Sequence, residues 1–237
     1  MIMWDNNNPT SFKDMINQVI CGDCLDIMKY IPSDSIDLVM TSPPYNTSDK
    51  KAYLGESKYL SKDKMSAPEY MIFINHSISE MLRICKNSVF FNIQMVSTNK
   101  EIVWQLFHTF SHCLKDLIIW NKDIAEPAAL PRVMNSQYEF IFIFSKDNPQ
   151  HRQFRLELEF HGTRPNILKG STASKSNNYS KVHRATFPSY LPYQIIKDFS
   201  LKDEIILDPF IGTGTTADVC NELGRRFIGI EKRIKIL

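Results

Sequence analysis

The sequence predicts an α/β domain built on a mostly parallel sheet. Three observations lead there. Short apolar runs alternate with stretches of helical periodicity along most of the chain. Two of those runs end in abrupt turn signals, Ser42-Pro43-Pro44-Tyr45 and Asp208-Pro209. The length of 237 residues, with 43% apolar and 23% charged side chains, suffices for one large core without disulfide or metal staples.

In order along the chain, residues 18–23 are an apolar run closing on Gly22-Asp23. A helical stretch follows, with Leu25, Met28 and Ile31 on one face and Pro32 as its stop. Residues 35–41 read as a second buried strand, and two adjacent prolines then force the chain out of the sheet. Residues 46–66, with Lys50, Lys51, Lys58, Lys62 and Lys64 among small polar residues, read as a long mobile loop. Residues 67–86 carry the helical stripe Tyr70, Phe73, Ile74, Ile78, Met81 and Leu82, with Pro68 in the first turn. Strands are expected at 88–93, 117–120 and 138–144, and a helix at 97–111. A helix over 188–200, a strand over 204–208, a glycine turn, a helix to about Leu223 and a strand over 227–231 complete the pattern.

Residues 146–184 differ in composition. They hold eight basic residues against three acidic ones, a net +5 in a chain whose total is +2, so the remainder carries −3. The reading is therefore two halves of one domain, 1–145 and 185–237, separated by a basic insert. No stretch approaches the roughly 20 apolar residues of a bilayer span, and the N-terminus has no basic region followed by an apolar run. A cytoplasmic protein is expected. Five cysteines with a single Cys21-x-x-Cys24 pair fit a reducing compartment, and no metal site is expected. Cys21 reads as the end of a buried strand and Cys24 as the opening of a helix.

The glycine turn Phe210-Ile211-Gly212-Thr213-Gly214-Thr215 follows a strand and opens a helix, where open α/β sheets bind ligands. Glu231 ends the next strand, 17 residues after Gly214, the place of a carboxylate that takes two ribose hydroxyls. Together they imply an adenosine-like cofactor; the alternatives are a bare turn and a solvated strand end. Ser42-Pro43-Pro44-Tyr45 suits an enzyme acting on the exocyclic amine of a nucleobase. That nitrogen is a weak nucleophile and needs acceptors that hold it in line with an electrophile. A side-chain oxygen and a carbonyl on a rigid turn supply them, and a tyrosine offers a face for an extruded base. The alternative is an ordinary Pro-Pro turn with a packed tyrosine.

These motifs resemble the S-adenosylmethionine-dependent amino-methyltransferases of DNA. That family's signature is (Asp/Asn/Ser)-Pro-Pro-(Tyr/Phe/Trp) with a separate FxGxG, here Ser42-Pro43-Pro44-Tyr45 and Phe210-Ile211-Gly212-Thr213-Gly214. The catalytic motif comes first, as in the circularly permuted β class. Gly22-Asp23, the run 118–122, Tyr138-Glu139 and the run 183–188 resemble further pieces in the same order. The resemblance implies a Rossmann-like methyltransferase fold with helices on both faces of the sheet. It implies a cofactor pocket of Phe210, Gly212, Gly214 and Thr215, with Asp208 beside it, Glu231 on the ribose and Asp23 at the adenine end or as a helix cap. Ser42 and the Pro43 carbonyl would orient the target amine, Pro44 would stiffen the turn, and Tyr45 would stack on the flipped base.

Serine in the first position, and the form His183-x-Ala185-x-Phe187-Pro188, resemble the cytosine-N4 group more than the adenine-N6 group. The implied reaction is direct attack of the amine on the methyl sulfonium, with no covalent enzyme–base intermediate and no cysteine nucleophile. The implied substrate is double-stranded DNA. Arg152, Arg155, Arg164 and Lys169 of the insert, with Lys50 and Lys51 of the earlier loop, are the candidate DNA contacts. A cognate restriction endonuclease and a second copy of the chain are candidate partners. The family continues past the Glu231 strand into a helix, whereas this chain stops at Leu237. Either the domain is short here or another subunit covers that surface, which the apolar end Ile234-Lys235-Ile236-Leu237 would suit. The competing readings are an adenine-N6 enzyme, an RNA or protein-amide methyltransferase (disfavoured by motif order), a non-catalytic DNA-binding subunit and a dehydrogenase.

Overall fold

The computed structural model describes residues 1–46, 65–96, 98–126, 132, 134–147, 149–158, 162–170 and 188–232, the side chains of 124–126 excepted. The expectations for Lys50, Lys51, the His183 segment as far as residue 187 and the end from 233 lie outside these residues. The strands are β1 (Ile2–Met3), β2 (Gln18–Cys21), β3 (Ile36–Thr41), β4 (Cys85–Ile93), β5 (Leu114–Glu126), β6 (Ser136–Phe144), β7 (Ile167–Lys169), β8 (Ile205–Asp208) and β9 (Arg226–Glu231). The helices are α1 (Phe12–Met15), α2 (Cys24–Met28), α3 (Ala67–Ile84), α4 (Lys100–Thr109), α5 (Tyr190–Phe199) and α6 (Thr215–Leu223).

All these strands join one sheet, in the order β1-β2-β9-β8-β3-β4-β6-β5-β7. Neighbours run parallel except where β6 pairs with β4 and β5. The mostly parallel α/β expectation therefore holds. β3 and β8 are neighbours, with Leu38 opposite Ile206 and Val39 opposite Leu207. From this seam the chain runs outward both ways, β3 through α3 to β4 and β8 through α6 to β9. Such a divergence opens a crevice beyond the carboxyl ends of the strands.

Strand alternation builds the two faces. Val39, Phe91, Phe142 and Leu207 pack with α2, α3 and α4, around Ile27, Tyr70, Ile74 and Val103. Met40, Phe90, Ile141 and Ile206 pack with α5 and α6, around Leu191, Ile195, Val219 and Cys220. Local signals set the helix starts. Asp23 caps α2, accepting from Leu25 N at 3.0 Å. Ser66 and Glu69 form a reciprocal capping box on α3, with Pro68 in its first turn. Pro192 lies in the first turn of α5, where a missing N–H costs little.

Several boundaries differ from the sequence expectation. α3 passes straight into β4, which starts at Cys85 rather than 88. α4 spans 100–109, shorter than the expected 97–111. β5 is much longer than 117–120, because the antiparallel partner β6 supplies pairing beyond the apolar run. α2 has only five residues and buries Cys24, Ile27 and Met28; Leu25 is half-buried and Ile31 is buried beyond the helix end. β1, β7 and α1 were not foreseen, since elements this short carry no periodicity. Among the described residues, no helix is long and apolar enough to cross a membrane.

Candidate active site

The carboxyl edge at the β3–β8 seam gathers the two motifs. Thr41 Oγ1 donates to Asp208 Oδ1 at 2.7 Å across 167 positions of sequence. Thr216 Oγ1 donates to Asp208 Oδ2 at 2.6 Å, and Phe210 N donates to Oδ1 at 3.1 Å. Asp208 thus ties β3, the glycine turn and helix α6 together. Burial pushes its carboxyl up to about 6, against the pull of these three hydrogen bonds.

Gly212 and Gly214 take φ values of 53° and 90°, the left-handed region open to glycine at little cost. A Cβ built on Gly214 would meet nothing within 4 Å, and one on Gly212 only Phe210 O at 4.0 Å. The turn thus borders open space into which a ligand could come against bare backbone. Gly212 N donates to Glu231 Oε2 at 3.1 Å. Gly22 N donates to the Glu231 carbonyl at 3.0 Å, placing Asp23 at the next strand end. Asp23 also pairs with Lys232 at 3.3 Å. Phe210 meets Phe73 edge-on, centroids 5.8 Å apart, and Thr215 is buried at the start of α6. The tip of β9 and the glycine turn therefore form one cradle with a carboxylate rim.

Beside it, Ser42-Pro43-Pro44-Tyr45 leaves β3. Pro44 O accepts from Tyr70 Oη at 2.6 Å, so α3 pins the turn. Ser42 Oγ donates to Tyr45 Oη at 2.9 Å, and Tyr45 Oη donates to Glu139 Oε2 at 2.7 Å. Asn92 Nδ2 reaches Tyr45 Oη at 2.8 Å, Glu139 Oε2 at 2.7 Å and Ser42 Oγ at 3.5 Å. Lys122 Nζ sits 2.6 Å from Glu139 Oε1, the two side chains only 4% and 7% exposed. It also lies 5.4 Å from the centroid of the Trp120 ring. Burial first, then the Glu139 charge, push the Tyr45 hydroxyl well above its ordinary value, so it keeps its proton.

Sequence reasoning missed Asn92, Lys122 and Glu139 as site residues. Their signal is a period of two. Phe90 is followed two positions on by Asn92, and Ile118 and Trp120 by Lys122; Ile143 and Ile141 lead back to Glu139. Each polar residue takes the next position in its strand's apolar stripe on the α5–α6 face. A charge in such a stripe is rarely buried unless paired. The pairing was invisible because 16 positions separate Lys122 from Glu139 and the hairpin that aligns them is tertiary.

The basic candidates separate by edge. Arg152 bonds Asp116 near the start of β5, and Arg155 forms two bonds to Glu204 just before β8. Arg164 bonds Asp198 at the end of α5, which leads into the same amino edge. The structure therefore does not bring Arg152, Arg155 and Arg164 to the edge that carries the motifs. Acids at the amino ends of β5 and β8 and at the end of α5 hold them there. Lys169 does come to the carboxyl edge, exposed and opposite Asn121 in the β5–β7 pairing. Cys21 closes β2 and Cys24 opens α2; burial pushes the Cys24 thiol up to about 12.

A doubly wound α/β domain with a glycine cradle and a proline-stiffened turn at its switch point defines a ligand-binding protein of the Rossmann-like class. The chain belongs to the DNA methylase family, whose model matches residues 36–237. It is similar to the type II methyltransferase M.HinfI of Haemophilus influenzae, 26% identical over 96% of this chain and 68% of that protein. M.HpaI of Haemophilus parainfluenzae is also 26% identical, over 92% of this chain and 70% of its own. Among solved structures, the PvuII DNA methyltransferase (cytosine-N4-specific) matches with a TM-score of 0.70 at 20% identity, covering 91% and 82% of the two chains. The M1.HpyAVI complex with S-adenosylmethionine matches at 0.60 and 20%, covering 91% and 92%. These structural likenesses speak for the fold.

Proposed function

We propose that this DNA methylase transfers a methyl group from S-adenosylmethionine to the exocyclic N4 of cytosine in double-stranded DNA. The observation that carries the reading is the placement of Ser42 and Tyr45 one strand away from the glycine cradle, across the β3–β8 seam. An amine held by the turn then faces whatever the cradle holds. Phe210, Gly212, Gly214, Thr215 and Glu231 hold the cofactor, and Asp23, besides capping α2, lies at the adjoining strand end. The cofactor supplies a methyl group on a sulfonium, electrophilic enough for a neutral amine to attack.

Ser42 Oγ and the Pro43 carbonyl accept from the target NH2 and set its line of attack. Pro43 and Pro44 hold φ and so keep those acceptors fixed before the base arrives. Tyr45, its ring half-buried, stacks on the extruded base. A serine rather than an acidic residue or an amide in the first position favours cytosine, and the likeness to a cytosine-N4-specific structure supports the same choice. Residues 146–184 act as the target-recognition stretch, with Lys169 at the productive edge and Lys50 and Lys51 as further contacts. Arg152, Arg155 and Arg164 serve the fold through their carboxylate partners. A restriction endonuclease of the same site is the partner class this reading implies.

The test is digestion of mixed-sequence DNA to nucleosides after incubation with the protein and labelled cofactor, followed by mass spectrometry. N4-methylcytosine is expected. N6-methyladenine would keep the transfer and overturn the reading of Ser42. No methylated nucleoside, with the cofactor bound, would favour a non-catalytic DNA-binding subunit.

A further inference from the structure

We infer that the buried Lys122–Glu139 pair is a positioning device that sets the direction of the hydrogen-bond chain ending on Ser42. The inference rests on the amine-orienting role of Ser42 proposed above. An ionised carboxylate only accepts hydrogen bonds. Lys122, 2.6 Å from Oε1, is the counter-ion of Glu139 and leaves Oε2 to face the motif. Tyr45 must therefore donate its one proton to Glu139, at 2.7 Å. Its oxygen then receives the Ser42 proton at 2.9 Å and the Asn92 amide at 2.8 Å.

Ser42 has thus spent its only proton inward, and its oxygen can meet the target amine only as an acceptor. Without Glu139, the Tyr45 proton could turn to Ser42, and Ser42 could then point its own proton at an NH2 group that has no use for it. The arrangement has a visible cost. Asn92 turns its amide nitrogen toward all three oxygens, and its own Oδ1 is buried without a partner among the described residues. A buried acceptor left without a partner in a polar network calls for an explanation, and the direction of the chain supplies one.

The test is a double-mutant cycle read by single-turnover methyl transfer to mixed-sequence duplex DNA. The proteins are wild type, Tyr45→Phe, the paired variant Lys122→Met/Glu139→Met, and the triple variant. The paired variant removes both buried charges at similar volume, so neither is left alone. Calorimetry gives cofactor affinity and thermal unfolding gives Tm for each protein. Tyr45→Phe and the paired variant are each expected to slow transfer at least tenfold, with cofactor affinity within twofold of wild type. The triple variant is expected to be no slower than the slower of the two, because both remove the same link.

Losses that multiply in the triple variant would overturn the inference, since Glu139 would then act apart from Tyr45. A paired variant with wild-type rate would overturn it too, and would leave the pair a purely structural role. If the paired variant does not fold, Glu139→Gln, which brings an amide donor beside Tyr45, takes its place in the cycle under the same criteria. A wild-type protein that methylates no DNA would instead remove the reading on which the inference rests.

Discussion

Two buried carboxylates stand along the carboxyl edge, and they are stabilised in opposite ways. Two threonine hydroxyls and one backbone N–H hold Asp208. Glu139 has a lysine at 2.6 Å and a tyrosine and an amide on its other oxygen. The difference follows from place. Asp208 sits inside the sheet, with Thr41 of β3 bonded to it and Gly229 of β9 opposite it. Glu139 is on the strand next to β5, whose Lys122 reaches across the hairpin. Neutral donors hold a carboxyl whose charge is easily lost; a cation makes the carboxylate a fixed acceptor. The first suits a strap between structural parts, the second the orientation of hydroxyls.

The largest expected effect breaks the Glu139 arrangement from its cation side. Lys122→Ala should destabilise the fold by about 3–5 kcal/mol in denaturant titrations, because it leaves a buried charge alone. The Met pair should regain most of that. A loss below about 1 kcal/mol for Lys122→Ala would mean that water reaches Glu139, contrary to its burial.

Next comes the pH response of Asp208. Its carboxyl stands at about 6 in the fold against 3.8 for an ordinary aspartate. Between those values the native state holds a proton that the unfolded chain has released, so this contribution to stability falls as pH rises. It is present in full below about pH 4 and lost as pH passes 6, a difference on the order of 3 kcal/mol. Asp208→Asn should remove that part of the pH dependence, and parallel Tm-against-pH curves for the two proteins would contradict the assignment.

A smaller effect should come from the glycine turn. A Cβ on Gly229 would lie 2.2 Å from Ile211 Cδ1, with two further Ile211 atoms at 3.2 Å. Gly229→Ala should push the glycine turn aside at a cost of about 1–3 kcal/mol, read as weaker cofactor binding and a lower Tm. Unchanged cofactor affinity would detach the turn from the pocket.

The smallest effect is expected at the opposite edge. The Arg152 side chain is 74% exposed and pairs with Asp116 far from the motifs. Arg152→Ala should cost less than about 1 kcal/mol. It should leave the salt dependence of DNA binding unchanged, whereas Lys169→Ala should lower the slope by about one counterion. The reverse ranking would put the DNA on the amino edge.

Much of this molecule was legible in its residues. Apolar runs ending at Thr41 and Asp208 gave the two seam strands, and the prolines and glycines after them gave the turns. Local chemistry suffices there: a proline cannot continue a ladder, and a glycine accepts φ values that other residues resist. The capping role of Asp23 was equally local, one of the two readings its sequence position offered. The basic insert was legible as composition but not as geometry. Its arginines were legible as charge, but not as the partners of Asp116, Glu204 and Asp198.

The sequence by itself determined the alternation of strands and helices, the two motifs and the family to which they belong. Each of these rests on neighbours within a few positions, where sterics and periodicity act directly. Only the tertiary structure decided that Asp208 meets Thr41, that Lys122 meets Glu139 and that Lys169 alone of the described basic candidates reaches the motif edge. Those contacts depend on strand order and register, set by burial of two whole faces of the sheet rather than by any residue's own preference.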